Sequence, residues 1–572
     1  MKNSEIARVF TEISDLLKLK GENIFKIRAY QKAARSIEQQ PIELEQMLKE
    51  GCLREVPGVG EAIAKKITEL LATGRLEFYE NLKAEFPPGI NALLDVPGVG
   101  PKTAIRLSAE LGIRNVDELE AAITDGRVAH LYRMGDKTAE NILRQIQLLR
   151  VKKTEHRIPI AEAVEVVEEI KERLKNVPGL KNLVAAGSLR RFKETIGDID
   201  LMGTADNAGE VIKAFTSLAT VRGVLGSGPT KASVVVSGGL KVDLRIVEHE
   251  AFGSLLQYST GSKQHNINLR ERARRLGLSL SEYGITDIET GKLEKFDSEE
   301  AFYRRQGLAY IPPELREGQM EIDLAEKGSL PALVDPTDIM GDFHVHTDWS
   351  DGRGSIEEMA LAAKELGYQY IGICDHSPGR HGLTADRLKE QSAVIKELNR
   401  KIDGIRILSG IEVDIKADGS LDMPDDVLAE LDIVVAGVHS AMGQEQSQMT
   451  ARIIQAIENP NVDIIAHPTC RLLQEREPVA LDIEAVFQAA ARHKTLLEIN
   501  AFPNRLDLKD NLAYRARELG IKLVIDTDAH NAGHLPFMRF GVGVARRGWC
   551  QAQDILNTRP LEEVAAYLAS RG

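Results

Sequence analysis

The sequence predicts a multidomain chain with three classes of structure in series: an all-helical front part, an α+β layer in the middle and a repeating strand–helix barrel at the end. Three observations predict it. A Gly-rich pattern is duplicated in helical surroundings, as VPGVGEAIAKKI at 56–67 and VPGVGPKTAIRL at 96–107. From about residue 183 the texture changes to short apolar runs of strand type, among them NLVAAGSLRR, GDIDLMG, ASVVVSGG and KVDLRIV. After residue 340, strand-like runs alternate with helical stretches, and six of those runs end in His, Asp or Glu.

A chain of 572 residues exceeds one ordinary domain. The hydrophobic fraction of 43% fits a soluble globular protein. No apolar run is long enough to span a bilayer, and the opening MKNSEIARVF reads as an amphipathic helix, so no membrane partner is expected. Four cysteines without C-x-x-C spacing predict a reducing, cytoplasmic setting. The net charge of −13 is unevenly placed: +2 over 1–160, −3 over 161–330 and −12 over 331–572. The near-neutral front half can meet a polyanion through local patches, and the acidic end can hold cations.

In the front part, each repeat places a Gly-x-Gly turn between helical stretches: Gly58 and Gly60 in the first, Gly98 and Gly100 in the second. Glycine permits positive φ and close backbone approach. The N–H groups opening the next helix then form an anion site. The pattern resembles the helix-hairpin-helix motif, which grips DNA phosphates without reading sequence. A degraded third copy is RMGDKTAENILRQI at 133–146.

The middle layer carries Asp198 and Asp200 in GDID, and Asp243 on a second strand-like run. Carboxylates at i and i+2 of a strand share a face. Three such groups on adjacent strands suit two Mg²⁺ ions, which activate a hydroxyl and stabilise a leaving oxygen in phosphoryl transfer. Just upstream, Gly187 and Ser188 with Arg190 and Arg191 offer a turn, a hydroxyl and guanidinium forks for phosphates.

GS followed by GDID resembles the nucleotidyltransferase signature, and FKIRAYQKAARSI, VPGVGEAIAKKI, LLATGR and YSTGSKQHNINLRERARRLGLSLSEYGI extend the match. Over about 1–315 the chain resembles the family X DNA polymerases, such as DNA polymerase beta. The resemblance implies that Asp198, Asp200 and Asp243 hold the two metals, with Asp243 nearest the primer 3′-hydroxyl. It implies Ser188 and Arg191 for the triphosphate, Tyr258, Gly261 and Asn266 for the sugar and base, and Arg270 for the template minor groove. Lys26 and Tyr30 match DNA contacts, and Lys66 matches a Schiff-base lysine for abasic sugars, although Ala62 replaces the neighbouring phosphate-binding lysine. Ser259 and Lys263 also depart from the family pattern; Lys263 would add a cation for the incoming phosphates before metal arrives.

The strand-like runs after 340 end in His344 and His346, His376, Glu412, His439, His467, and Asp528 and His530. In a (β/α) barrel these ends meet on one face, where active sites sit. With Asp351 the set offers nine N/O ligands and no Cys, enough for about three ions. His493 and His534 fall outside the pattern and are either structural or of unassigned role. H-x-H, D, H, E, H, H, D-x-H resembles the PHP (polymerase and histidinol phosphatase) domain over about 340–572. That resemblance implies a distorted (β/α)7 barrel, a trinuclear Mn²⁺ or Zn²⁺ site and phosphoesterase chemistry.

The expected domains are a small helical DNA-binding domain (1–82), a second helix-hairpin-helix domain (83–155), a nucleotidyltransferase palm (156–250), a nucleotide-binding subdomain (251–320), a linker (321–339) and the PHP domain (340–572). The expected function is a monomeric gap-filling repair polymerase acting on gapped or primer-template DNA with dNTPs, with a 3′–5′ exonuclease and an abasic-site endonuclease in its PHP domain. Two alternatives remain: a PHP site that hydrolyses a small phosphate ester or pyrophosphate, and a non-catalytic DNA-end scaffold.

Overall fold

The computed structural model describes the chain apart from residues 2, 39, 41, 88–89, 97–98, 132–133, 136–137, 144–145, 147–156 and 571–572. It divides into two compact units, Met1–His156 and Arg157–Gly572.

The first unit is helical, as the periodicity predicts. Helix Asn3–Lys20 buries Ile6, Phe10, Ile13 and Leu17, spaced three to four residues apart, against helix Ile24–Glu38. The duplicated pattern makes the same backbone hydrogen bond twice. The N–H of Val59 donates to the carbonyl of Val56 at 2.9 Å, and that of Val99 to Val96 at 2.9 Å. Gly60 and Gly100 then cap helices Glu61–Thr73 and Pro101–Leu111. Gly58 has φ +90°, and a Cβ there would press on Lys32 at 2.8 Å, so both conformation and space require glycine. Gly98 and five residues of the third copy lie outside the described residues.

The second unit opens with a five-stranded sheet in the order Leu180–Ala185, Asp198–Ala205, Lys241–Val247, Lys231–Val236, Val221–Ser227. Strands Asp198–Ala205 and Lys241–Val247 are parallel; the other pairs are antiparallel. Helices Ile160–Leu174 and Ala208–Thr216 share its core through Val167, Ile170, Val211 and Phe215. Helices Phe252–Thr260 and Lys263–Arg275 follow, with a small sheet of Leu278–Ser281, Gly284–Asp287 and Leu293–Glu294.

The stretch 321–339, expected as an irregular linker, is ordered. Helix Glu321–Glu326 places Ile322 and Ala325 in the core with Leu269 and Phe302, and Glu321 bonds His265 at 2.7 Å. Six residues are too few for a helical period to register in the sequence.

The last part is a ring of seven parallel strands in chain order: Gly341–Val345, Tyr370–Ile373, Arg406–Asp414, Ile433–Gly437, Ile464–Ile465, Leu496–Asn500 and Leu523–Asp526. A backbone bridge between Val345 and Ala529 brings the last strand back to the first, so the barrel nearly closes. Helices including Ile356–Glu365, Ala385–Lys401 and Met538–Arg547 lie on the crossovers. The strands are buried throughout, apart from Arg406, which is why their sequences read as continuous apolar runs. Among the described residues, no helix is long and apolar enough to cross a membrane.

Two candidate active sites

In the five-stranded sheet the parallel pair sets Asp200 directly beside Asp243 and Asp198 beside Lys241. All four side chains are partly buried on one face. The Lys241 ammonium lies 2.6 Å from Asp243 Oδ2, while Asp243 Oδ1 is buried without a hydrogen-bond partner. Burial, then the charges of Asp198 and Asp243, push the Asp200 carboxyl up to about 7. Clustered, under-compensated carboxylates of this kind suit divalent cations.

The turn Gly187–Arg190 sits against this cluster. Gly187 has φ +58°, and a Cβ there would collide with Oδ2 of Asp200. Ser188 and Arg191 follow on the same turn. Arg191 is not free: its Nε donates to Glu317 at 3.1 Å and its Nη1 to the carbonyl of Thr260 at 2.8 Å. Arg190 is bound to Glu299 and Thr260. Asn266 Nδ2 donates to the carbonyls of Tyr258 at 2.8 Å and Gly261 at 3.3 Å, so these three residues are adjacent. Lys263 is exposed in the first turn of its helix, and Arg270 donates to the Asn266 carbonyl at 3.0 Å.

In the first unit, Lys66 and Lys26 both approach the Phe78 ring, at 4.8 and 5.8 Å. Lys26 also pairs with Glu22 at 2.8 Å. Tyr30 departs from expectation. Its ring packs between Phe10 and Phe78 and is 6% exposed, which leaves little of it for a DNA contact.

The second site lies at the carboxyl ends of the barrel strands, and all nine sequence-selected side chains meet there. Each His has a carboxylate within reach. Glu412 is the centre: its Oε1 lies 3.0 Å from His439 Nε2 and 3.1 Å from His467 Nε2, and its Oε2 lies 2.8 Å from His376 Nδ1. Asp528 Oδ1 lies 3.2 Å from His346 Nε2. Asp351 Oδ2 lies 3.5 Å from His376 and 3.4 Å from His530. Donor atoms group into three cation-sized clusters: His346, Asp351, His376 and His530; His344, His346 and Asp528; and His376, Glu412 and His439.

The electrostatics of this site also fit cations. Burial opposes charge on His344, yet Glu412, Glu498 and Asp528 outweigh it and hold the ring well above the ordinary imidazole range. Burial likewise opposes charge on His376, but Glu412 and Asp351 raise it to about 10. Burial pushes His346 down to about 4 and His467 to about 3, so both stay neutral and able to ligate. The Nδ1 atoms of both are buried with no hydrogen-bond partner among the described residues. A donor set of imidazole and carboxylate without thiolate suits divalent metal ions. His467 and Asp528 hold positive φ, +29° and +54°, as do few non-glycine residues.

Sequence reasoning missed the residues that orient this cluster. Glu498 bonds His344 Nδ1 at 2.7 Å, and Asp414 bonds His439 Nδ1 at 3.0 Å, which sets the ring tautomers. Arg505 reaches Asp528 at 3.4 Å. Asp375 accepts from Thr347, Ser350 and Gln391 and so fixes the loop bearing Asp351. Glu498 lies inside a strand-like run, LLEIN, rather than at its end, so the rule that found Glu412 passes over it; Arg505 carries no such signal. His534 bonds Asn531 at 2.9 Å and stacks on Phe537, outside the cluster.

Residues 1–76 match the model of a helix-hairpin-helix domain and 90–147 that of a SAM-like helix-hairpin-helix tandem. Residues 255–317 match the DNA polymerase beta thumb and 342–502 the PHP domain. The "DNA polymerase/3'-5' exonuclease PolX" of Bacillus subtilis is 40% identical over 573 residues, covering 99% of each chain. Over 40% of this chain, proteins named "Probable phosphatase" are similar: one from Thermoanaerobacter sp. is 36% identical over 94% of its length, and one from Shewanella sediminis 33% over 94%.

Proposed function

The chain belongs to the family X DNA polymerases that carry amino-terminal helix-hairpin-helix domains and a carboxy-terminal PHP domain, and from that premise we propose that it fills short gaps in damaged DNA and trims 3′ ends. The observation that carries the reading is the coexistence of two separate acidic sites in one chain with DNA-binding repeats. In the palm, Asp198, Asp200 and Asp243 would hold Mg²⁺, with Asp243 nearest the primer 3′-hydroxyl. Ser188, Arg191 and Lys263 bind the triphosphate; Tyr258, Gly261 and Asn266 border the sugar and base. The Gly58–Gly60 and Gly98–Gly100 turns and Lys26 hold the phosphate backbone, and Arg270 faces the template.

In the barrel, the nine side chains would hold about three Mn²⁺ or Zn²⁺ ions. Bound divalent ions lower the pKa of water and stabilise charge on a phosphodiester. Glu498 and Asp414 keep His344 and His439 presenting Nε2, and Arg505 offers a guanidinium to phosphate. Cutting at abasic sites fits the same chemistry. A monomer acting in the cytoplasm on gapped or primer-template DNA with dNTPs completes the reading.

Hydrolysis of a small phosphate monoester by the barrel is the second reading, favoured by the similarity to proteins named "Probable phosphatase". One experiment separates them. Parent, Asp200→Ala and the double variant His344→Ala/His346→Ala are assayed on gapped DNA, on 3′-tailed DNA and on a phosphate monoester, with Mg²⁺ or Mn²⁺. We expect Asp200→Ala to lose only incorporation, and the double variant to lose 3′ degradation and bound metal. Retained 3′ degradation by the folded double variant, with monoester hydrolysis lost, would favour the second reading.

A further inference from the structure

The turn that carries Arg191 is held from behind by the barrel domain. Arg547, at the end of helix Met538–Arg547, is 6% exposed in its side chain and makes four contacts. Its Nη1 donates to the carbonyl of Arg191 at 2.8 Å and to Glu317 at 2.9 Å. Its Nε and Nη2 meet Asp510 of the barrel at 2.8 and 2.7 Å. Glu317 in turn receives the Arg191 guanidinium at 3.1 Å and lies 3.5 Å from the Lys193 ammonium. Despite burial, Arg547, Lys193 and Arg191 hold the Glu317 carboxyl down at about 2. So one guanidinium from the barrel fixes both the backbone of Arg191 and the acid that grips its side chain.

One residue further, Phe192 has φ +60°, a conformation costly for a bulky side chain. Its ring lies on the bare backbone of Gly543, where a Cβ would stand 1.9 Å from the ring's Cδ1, and packs 6.2 Å from Phe540. Gly543 belongs to the helix that ends in Arg547. Elsewhere the two domains join without touching this turn's phosphate-facing residues: Arg546 pairs with Glu314 at 2.7 Å, and Arg471 with Glu194 at 2.9 Å.

We propose that the PHP domain is a structural part of the polymerase's nucleotide site, with Arg547 and Gly543 as positioning residues that aim the Arg191 guanidinium and the turn Gly187–Lys193 at the incoming triphosphate. The proposal rests on the reading that Arg191 binds that triphosphate. Its consequence is that the barrel helix influences nucleotide affinity without contacting the nucleotide and without changing the carboxylate triad.

The test measures dNTP KM and kcat for gap filling with the full chain, alongside 3′ degradation and bound metal. Arg547→Gln is expected to raise the dNTP KM by about ten- to a hundredfold with kcat largely kept, the scale of losing an orienting partner. Arg547→Lys, which keeps the charge, should recover part of that loss. Gly543→Ala displaces Phe192 without removing a charge and should raise KM in the same way, which guards against an Arg547→Gln chain that fails to fold. Arg546→Gln removes a comparable interdomain ion pair and should leave KM at the parent value. Arg191→Ala reports on the underlying reading. If it leaves KM unchanged, Arg191 does not bind the triphosphate and the proposal falls with it. If Arg191→Ala raises KM while Arg547→Gln and Gly543→Ala lower only kcat or only stability, the Arg191 reading stands and the proposal is overturned.

Discussion

The Nε2 atoms of His344 and His346 lie 3.1 Å apart, both fully buried, with the Nδ1 of His344 bonded to Glu498 at 2.7 Å. Two imidazoles can face each other this closely only if a proton or another cation lies between their lone pairs. Glu498 occupies the far side of His344, so Nε2 is the atom presented to the cluster.

Glu498→Gln should therefore weaken metal binding at the barrel by about ten- to a hundredfold, because one amide oxygen cannot accept from both His344 Nδ1 and the His467 N–H, and the charge that orients His344 is lost. Elemental analysis after dialysis and 3′-degradation rates check this. Gap filling should stay at the parent rate; a parallel fall in both activities would mean the variant is misfolded or the two sites are not separate.

Gly187→Ala adds one methyl where φ is +58° and where Asp200 Oδ2 already stands. We expect incorporation to collapse with 3′ degradation intact, and a stability cost of about 1–2 kcal/mol from the left-handed backbone alone. Thermal unfolding and primer extension read the two effects separately.

The Asp200 carboxyl, raised to about 7 from an ordinary 3.8, gives a pH dependence with a definite sign. Because the folded value is raised, its contribution to stability is fully present below about pH 3.8 and is lost as pH rises through about 7. Mg²⁺ replaces the proton, so Mg²⁺ affinity should rise across that window and level off above it. The difference between parent and Asp200→Asn in EDTA-treated protein, scanned by calorimetry at several pH values, isolates this group. A parent-minus-variant difference independent of pH would contradict the assignment.

Lys263 is exposed at the start of its helix, which limits its contribution. Lys263→Asp should weaken metal-free dNTP binding by about two- to fivefold, the range of an exposed ion pair. The effect should shrink at high salt. Titration at two ionic strengths decides; an affinity unchanged at low salt means that the ammonium points elsewhere.

What the sequence determined by itself is whatever a short period encodes. His344 and His346 two apart on a strand, Asp198 and Asp200 likewise, and the repeated Gly-x-Gly turns fix which side chains share a face, because alternation and φ > 0 are local properties. The rule that barrel strands end on one face then brought His376, Glu412, His439, His467, Asp528 and His530 into one set with the H-x-H pair, to which Asp351 was added. Only the tertiary structure decided which acid stands at the centre, that Glu498 and Asp414 orient two of the rings, that Tyr30 is core, and that the 321–326 helix joins the neighbouring subdomain. The same holds for Arg547 and Arg191, 356 positions apart, joined through a carbonyl and the shared Glu317. No periodicity links such residues: their meeting depends on how a finished barrel and a finished sheet pack against each other, and that is settled by the shapes of two cores rather than by spacing along the chain.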